Sequence, residues 1–245
     1  MYRDLKLSLV LPCYNEEKGV ETVLRTAPEC VDEVVVVDNN CTDRTAEVAR
    51  DYKARVVSQV IQGYGASYKK GFDAASGDVI ITLDADGTYP IDDIPLYVDI
   101  LDSDKLDFIT VQRVAQSKRT TAAKWRLLGN YTLNAATHLL FGVKLKDSQS
   151  GMWVFRKSIL DDIHLTSDGM ALSEEIKIRA FTNPRLKCTE LSGTYKNVRV
   201  GFSKLNVVDD GLHNLAFLFK MRLRTNGHVS NNTCAQRSSE SSEVR

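Results

Sequence analysis

Four apolar runs of strand length, each followed by a helix-like stretch, constrain this chain more than any other feature of its sequence. They are residues 6–12, 33–38, 54–58 and 80–82. Val34-Val35-Val36-Val37 has no polar member, as expected for a central parallel strand covered on both faces. Helical patterns follow through Val20, Val23 and Leu24, through Ala46, Val48 and Ala49 with Thr42 as a plausible N-cap, and behind Gly63-Tyr64-Gly65-Ala66. Strand and helix alternating at short spacing predict an α/β fold with a mostly parallel central sheet, right-handed crossovers and helices on both faces.

The fourth run ends in Asp84-Ala85-Asp86-Gly87. At the carboxyl end of a parallel strand, two acids spaced one residue apart can hold a hard divalent cation that bridges to a diphosphate. The same four residues also suit an ordinary turn, because Asp and Gly favour turns. Glu16 and Glu17 fit the first turn of a helix, where the dipole favours acids. The Gly63–Gly65 loop could approach a phosphate, although neither the Walker nor the G-x-G-x-x-G spacing is present.

Later elements are less regular. A helix is expected from Pro90 through Ile94, Leu96, Val98 and Leu101, and a fifth strand over 106–112 ending at Arg113. Residues 115–124 are polar and basic and read as a loop; 125–140 read as a helix. The turn Asp147-Ser148-Gln149-Ser150-Gly151-Met152 leads into a strand at Trp153. A helix opens near Gly169, strand patterns follow at 187–191 and 195–200, and a helix runs from 207 to 224 with Leu212, Leu215, Ala216, Phe219 and Leu223 on one stripe. One domain over residues 1–224 and a polar, disordered tail over 225–245 are expected.

Thirty-two basic and 32 acidic residues cancel, so no overall field points to nucleic acid. Five scattered cysteines without C-x-x-C spacing argue against zinc and against a disulfide framework. A charged amino terminus running straight into a strand, with no apolar run near the roughly 20 residues of a membrane span, gives a cytoplasmic expectation.

Six ordered segments carry a resemblance: Leu11-Pro12-Cys13-Tyr14-Asn15-Glu16-Glu17, Val36 through Thr45, Gly63 through Ala66, Asp84 through Gly87, Asp147 through Met152, and Gly201-Phe202-Ser203-Lys204-Leu205. Together they resemble glycosyltransferase family 2, the inverting enzymes of GT-A fold, and within it the polyprenyl-phosphate (dolichyl-phosphate) hexose synthases. The resemblance implies a hexosyltransferase that moves a sugar from a nucleotide diphosphate sugar to a polyprenyl phosphate, as a peripheral protein at the cytoplasmic membrane face. Pro12, Tyr14, Glu16, Asp38, Asn39 and Gly65 would serve the nucleotide, and Asp84, Ala85 and Asp86 would bind donor and Mg²⁺ or Mn²⁺. Arg199 and Lys204 would add positive charge at the phosphates. Arg113 and Arg126 match acceptor-phosphate arginines, and Asp147 would orient the sugar.

A hydroxyl acceptor would instead need a carboxylate base, for which Asp147, Glu174 and Glu175 are candidates. A non-catalytic nucleotide-sugar-binding protein is the remaining alternative. Where the family often has Asp-Asp or Asp-Gly-Ser, this chain has Asp38-Asn39-Asn40-Cys41. The nucleotide base therefore stays open between guanine and uracil.

Overall fold

The computed structural model describes residues 1–115, 121–195, 199–201 and 209–224. Seven strands form one sheet: β1 (Leu7–Cys13), β2 (Glu33–Asp38), β3 (Arg55–Ser58), β4 (Val79–Thr82), β5 (Phe108–Ala115), β6 (Trp153–Arg156) and β7 (Cys188–Tyr195), in the order β3-β2-β1-β4-β6-β5-β7. Strands β1 to β4 are parallel, and β5 is parallel to β7. Strand β6 runs against both its neighbours, with Thr82 opposite Trp153 and Phe108 opposite Phe155.

The period-two alternation of β1 sends Leu7, Leu9 and Leu11 to one face and Val10 to the other. The first face is covered by α1 (Glu17–Arg25), α2 (Thr45–Asp51) and α4 (Ile94–Ser103), whose Val20, Val23, Ala49, Ile94, Val98 and Leu101 are fully buried. The second face is covered by α3 (Tyr64–Ala74), the single turn α6 (Ile159–Asp162) and α7 (Leu172–Thr182). There Tyr68 and Phe72 stack at 5.7 Å, and Tyr68 meets Trp153 at 5.1 Å. Beyond the sheet, α5 (Thr121–Phe141) and a last helix, α8 (209–224), pack against α7 through Leu133, Leu218, Met221 and Ile178.

Several boundaries differ from expectation. Helix α2 begins at Thr45, where Asp43 Oδ1 accepts the Thr45 N–H at 3.0 Å, so Thr42 is not its cap. A 3₁₀ turn (Ile91–Asp93) precedes α4, and Leu96 points to solvent. Arg113 lies inside β5 rather than at its end. Strand β7 runs on through Gly193 to Tyr195, past the end expected for it at 191; residues 196–198 of the second strand expected there lie outside the described residues. A Cβ at Gly193 would sit 2.5 Å from Val111 and 2.8 Å from the Tyr97 hydroxyl, so close packing and not a break selects the glycine. On α8 the stripe read from the sequence faces outward at Leu212, Phe219 and Leu223, while Asn214, Leu218 and Met221 face the protein. Residues 225–245 lie outside the described residues.

Candidate active site

The carboxyl ends of β1, β2 and β4 open onto one cavity of about 420 Å³. Its walls include Pro12, Tyr14, Glu16, Asn39, Tyr64, Asp84, Ala85, Asp86, Arg113 and Arg199; all of these but Tyr64 are sequence-predicted, so nine of the predicted residues meet there. Asp38, Gly65 and Asp147 do not line it. The Arg126 side chain and Lys204 lie outside the described residues.

Asp84 and Asp86 sit just beyond the end of β4 on a loop whose position is fixed from below. Helix α1 approaches so closely that a Cβ on Gly19 would lie 2.1 Å from the Ala85 carbonyl oxygen. Asp86 is buried; its Oδ1 accepts the N–H of Thr88 at 3.0 Å, and its Oδ2 lies 3.1 Å from Arg199 Nη1. The Asp86 carbonyl accepts the Val200 N–H at 3.0 Å, which docks the segment after β7 onto this loop. Arg199 Nη2 also reaches Glu16 Oε1 at 3.3 Å, joining the first loop to the acid pair. Burial, then repulsion from Asp86, pushes Asp84 up to about 7, while Arg113 and Arg199 oppose the shift. Its Oδ1 accepts the Tyr64 hydroxyl at 3.3 Å.

That elevated carboxylate tests the pair's fitness for a cation. Two acids on one wall, with the charge of Asp84 disfavoured by burial and by Asp86, form an all-oxygen donor set. They suit a hard divalent ion that takes its remaining ligands from phosphate and water. Among the described residues no cluster of three or more His, Cys, Asp or Glu competes for that role.

Other predicted residues do structural work. Asn39 is buried and gives both Nδ2 hydrogens to the carbonyls of Gln59 and Ile61, each at 2.9 Å, while its Oδ1 accepts the Gly63 N–H at 2.8 Å. Asp38 Oδ1 accepts the Cys41 N–H at 2.9 Å. Gly65, expected on the nucleotide side, packs against the loop before α7. A Cβ there would lie 2.4 Å from the Ser167 carbonyl oxygen, and the next amide, Ala66 N–H, already donates to the Asp168 carbonyl at 3.0 Å.

Behind the wall that Arg113 lines, Asp147 clamps its guanidinium. Arg113 Nε and Nη2 donate to the two carboxylate oxygens at 2.7 and 2.8 Å, the Arg113 backbone N–H adds a third bond at 3.1 Å, and Asn130 Nδ2 a fourth at 3.1 Å. Burial alone would raise Asp147; Arg113, through charge and hydrogen bonds, and then Lys177 hold it down at about 2. Its carboxylate oxygens are thus turned onto Arg113 and Asn130 and lie behind the cavity wall, where a sugar-orienting role was expected. Glu175 is likewise committed, accepting from the backbone of Thr166 and Ser167 and from Arg179.

Sequence reasoning missed the network beneath this wall. Gln149 lines the cavity, donates to Glu174 Oε1 and accepts from Asn214 on α8 at 3.0 Å. Glu174 has no exposed surface, and burial pushes it up to about 8. Lys177, equally buried, is drawn down to about 7 by burial, with Asp147 opposing. In sequence, Ile176-Lys177-Ile178-Arg179 looks like any helix with solvated cations; only the apolar flanks of Lys177 hinted that it points inward.

Residues 8–164 match the model of Glycosyl transferase family 2. The chain belongs to this family. The family 2 chain is 34% identical over 176 residues to the dolichyl-phosphate hexose transferase of Haloferax volcanii, covering 71% of this chain and 75% of that protein. It is 27% identical over 186 residues to the dolichol-phosphate mannosyltransferase of Pyrococcus furiosus, covering 71% of this chain but only 53% of the relative. Among solved structures it is similar to glucosyl-3-phosphoglycerate synthase from Mycobacterium tuberculosis in complex with Mn²⁺, UDP-glucose and phosphoglyceric acid. The TM-score is 0.69 at 22% identity, over 89% of this chain and 80% of that one. The fold of this family 2 chain is GT-A. No helix among its described residues is long and apolar enough to cross a membrane.

Proposed function

We propose that this family 2 transferase moves a hexose, with inversion, from a nucleotide diphosphate sugar to a polyprenyl phosphate at the cytoplasmic face of a membrane. The observation that carries the acceptor assignment is the Arg113–Asp147 clamp: the cavity wall offers a guanidinium fixed by Asp147, and the carboxylate that fixes it does not line the cavity. A sugar hydroxyl must lose a proton as it attacks, whereas a phosphate monoester has a second pKa near ~6 and is ionised at neutral pH. Asp147, held near 2 and turned onto Arg113, is a poor proton acceptor, and Glu174 and Glu175 do not line the cavity. The names of the Haloferax and Pyrococcus relatives support the same acceptor class.

Pro12, Tyr14 and Glu16 hold the nucleotide on the β1 side, and Asn39 shapes that wall through the 59–63 loop. Asp84 and Asp86 hold a Mg²⁺ or Mn²⁺ ion, which when bound neutralises charge on the departing diphosphate. Arg199, placed between Glu16 and Asp86, adds a cation on the donor side. Arg113 fixes the acceptor phosphate so that its oxygen meets the anomeric carbon as the bond to the diphosphate breaks. Arg126 and Lys204 remain further candidates for the acceptor and donor phosphates.

The test is incubation with Mn²⁺, a panel of radiolabelled UDP- and GDP-sugars and a polyprenyl phosphate, followed by extraction into organic solvent. Label from one donor in the organic phase is expected. Label remaining aqueous for every donor, while a hydroxyl acceptor becomes labelled, would replace this reading with the hydroxyl-acceptor one.

A further inference from the structure

Helix α7 turns a largely apolar face to the sheet, with Leu172, Ile176 and Ala180 in the second core, yet it also buries the whole side chain of Lys177. A buried ammonium is costly unless its N–H groups are satisfied. Here Nζ donates to three backbone carbonyls, those of Asp147 at 3.1 Å, Ser148 at 2.7 Å and Ser150 at 2.7 Å. An ammonium has three donors and no acceptor, so three carbonyls match its charged form.

These carbonyls belong to the turn that carries the Arg113 clamp. Its amides are gripped from other directions. Glu190 on β7 accepts from the N–H groups of Lys146 and Asp147, and Asn134 Oδ1 on α5 accepts from Ser148 N–H at 2.8 Å. Of the three carbonyls that Lys177 caps, that of Asp147 also accepts the Ser150 N–H at 3.4 Å and that of Ser150 accepts Trp153 Nε1 at 2.9 Å, while Lys177 supplies the shortest bond to each of the three.

We propose that Lys177 is a positioning residue for the acceptor: by capping the carbonyls of the 147–150 turn it holds the Asp147 carboxylate square to Arg113, and so sets the guanidinium that receives a phosphate monoester. The inference rests on the acceptor reading given under Proposed function. It goes beyond that reading by assigning acceptor affinity to a side chain that never reaches the cavity.

The experiment titrates the full chain with farnesyl phosphate, a short soluble isoprenyl phosphate, and separately with GDP or UDP in the presence of Mn²⁺. Lys177→Met removes all three donors, and Lys177→Gln restores two; thermal melts check that each variant is folded. Expected is a roughly 10-fold weaker affinity for farnesyl phosphate in Lys177→Met, partial recovery in Lys177→Gln, and nucleotide affinity unchanged within about twofold. The same Lys177→Met change made on Arg113→Ala should cost nothing further. Equal losses for farnesyl phosphate and nucleotide would mark Lys177 as a general support of the fold and overturn the proposal. If Arg113→Ala weakens farnesyl phosphate binding while neither Lys177 variant does, this proposal alone falls. If Arg113→Ala has no effect, the acceptor reading falls and takes this proposal with it.

Discussion

Replacing Asp147 with Asn separates a clamp from a base. In the native protein three N–H groups of Arg113 converge on the carboxylate, whose side chain is 4% exposed against 28% for the arginine. Removing one partner of a buried pair costs about 3–5 kcal/mol, because the survivor is left charged and uncompensated. The partial exposure of Arg113, and the acceptor oxygen that Asn retains, lower this to ~2–3 kcal/mol. For a domain of this size that is a fall in Tm of roughly 5–10 °C.

The pH dependence has a definite sign. Asp147 is depressed to about 2, so its contribution is present above the unfolded carboxylate value and fades as pH falls from near ~4 toward 2. Asp147→Asn should lack that acid limb in denaturant titrations. Activity discriminates further. Loss of a general base costs about 10²–10⁴ in the chemical step. Loss of a clamp weakens acceptor binding and leaves the single-turnover rate at saturating acceptor within about 10-fold. A 100-fold slower single turnover in a variant that melts with the wild type would refute the clamp and restore Asp147 as a base.

Chelation with EDTA should abolish transfer, and Mn²⁺ or Mg²⁺ should restore it; Mn²⁺ should raise the Tm of wild type but not of Asp84→Asn/Asp86→Asn, as read by a thermal melt. Gly19→Ala should push α1 off the Ala85 carbonyl, lowering stability by about 1–3 kcal/mol in urea titrations and weakening nucleotide binding in the same protein. Glu174, pushed up to about 8, contributes stability that is complete below its unfolded value and lost as pH rises through 8, while Lys177, drawn down to about 7, acts in the opposite sense, so the decline due to Glu174 is read as the difference between wild type and Glu174→Gln from pH 6 to pH 9. Glu174→Gln should lose less stability, or gain more, than wild type over that range; identical profiles would mean that another group titrates.

The first half of the fold was legible because a strand buried on both faces has to be apolar throughout, as Val34–Val37 is, and because glycine and acid clusters mark where such strands end. The acid pair and the first loop could be read for the same reason. Strand direction could not. The apolar pattern of Trp153-Val154-Phe155 is the same forwards and backwards, so nothing local shows that β6 runs antiparallel. Gly193 falls in the gap between the strand patterns at 187–191 and 195–200, and its reason for being glycine sits on α4 and β5, far away in sequence. Lys177, Asn214 and the burial of Glu174 were hidden for a related cause: a polar residue on a helix reveals whether it faces water only once its neighbours are in place.

The reversal of β6 also decides where this molecule can be handled. Since that strand starts at the catalytic rim, the turn before it is committed to Arg113 and Lys177, and the chain leaves by the far rim. The short connection at residues 183–186, between α7 and β7, lies on that far rim, with Pro184 and Arg185 exposed. A fluorophore, affinity handle or surface tether attached there points away from the chemistry, whereas the same attachment at 147–151 would dismantle it.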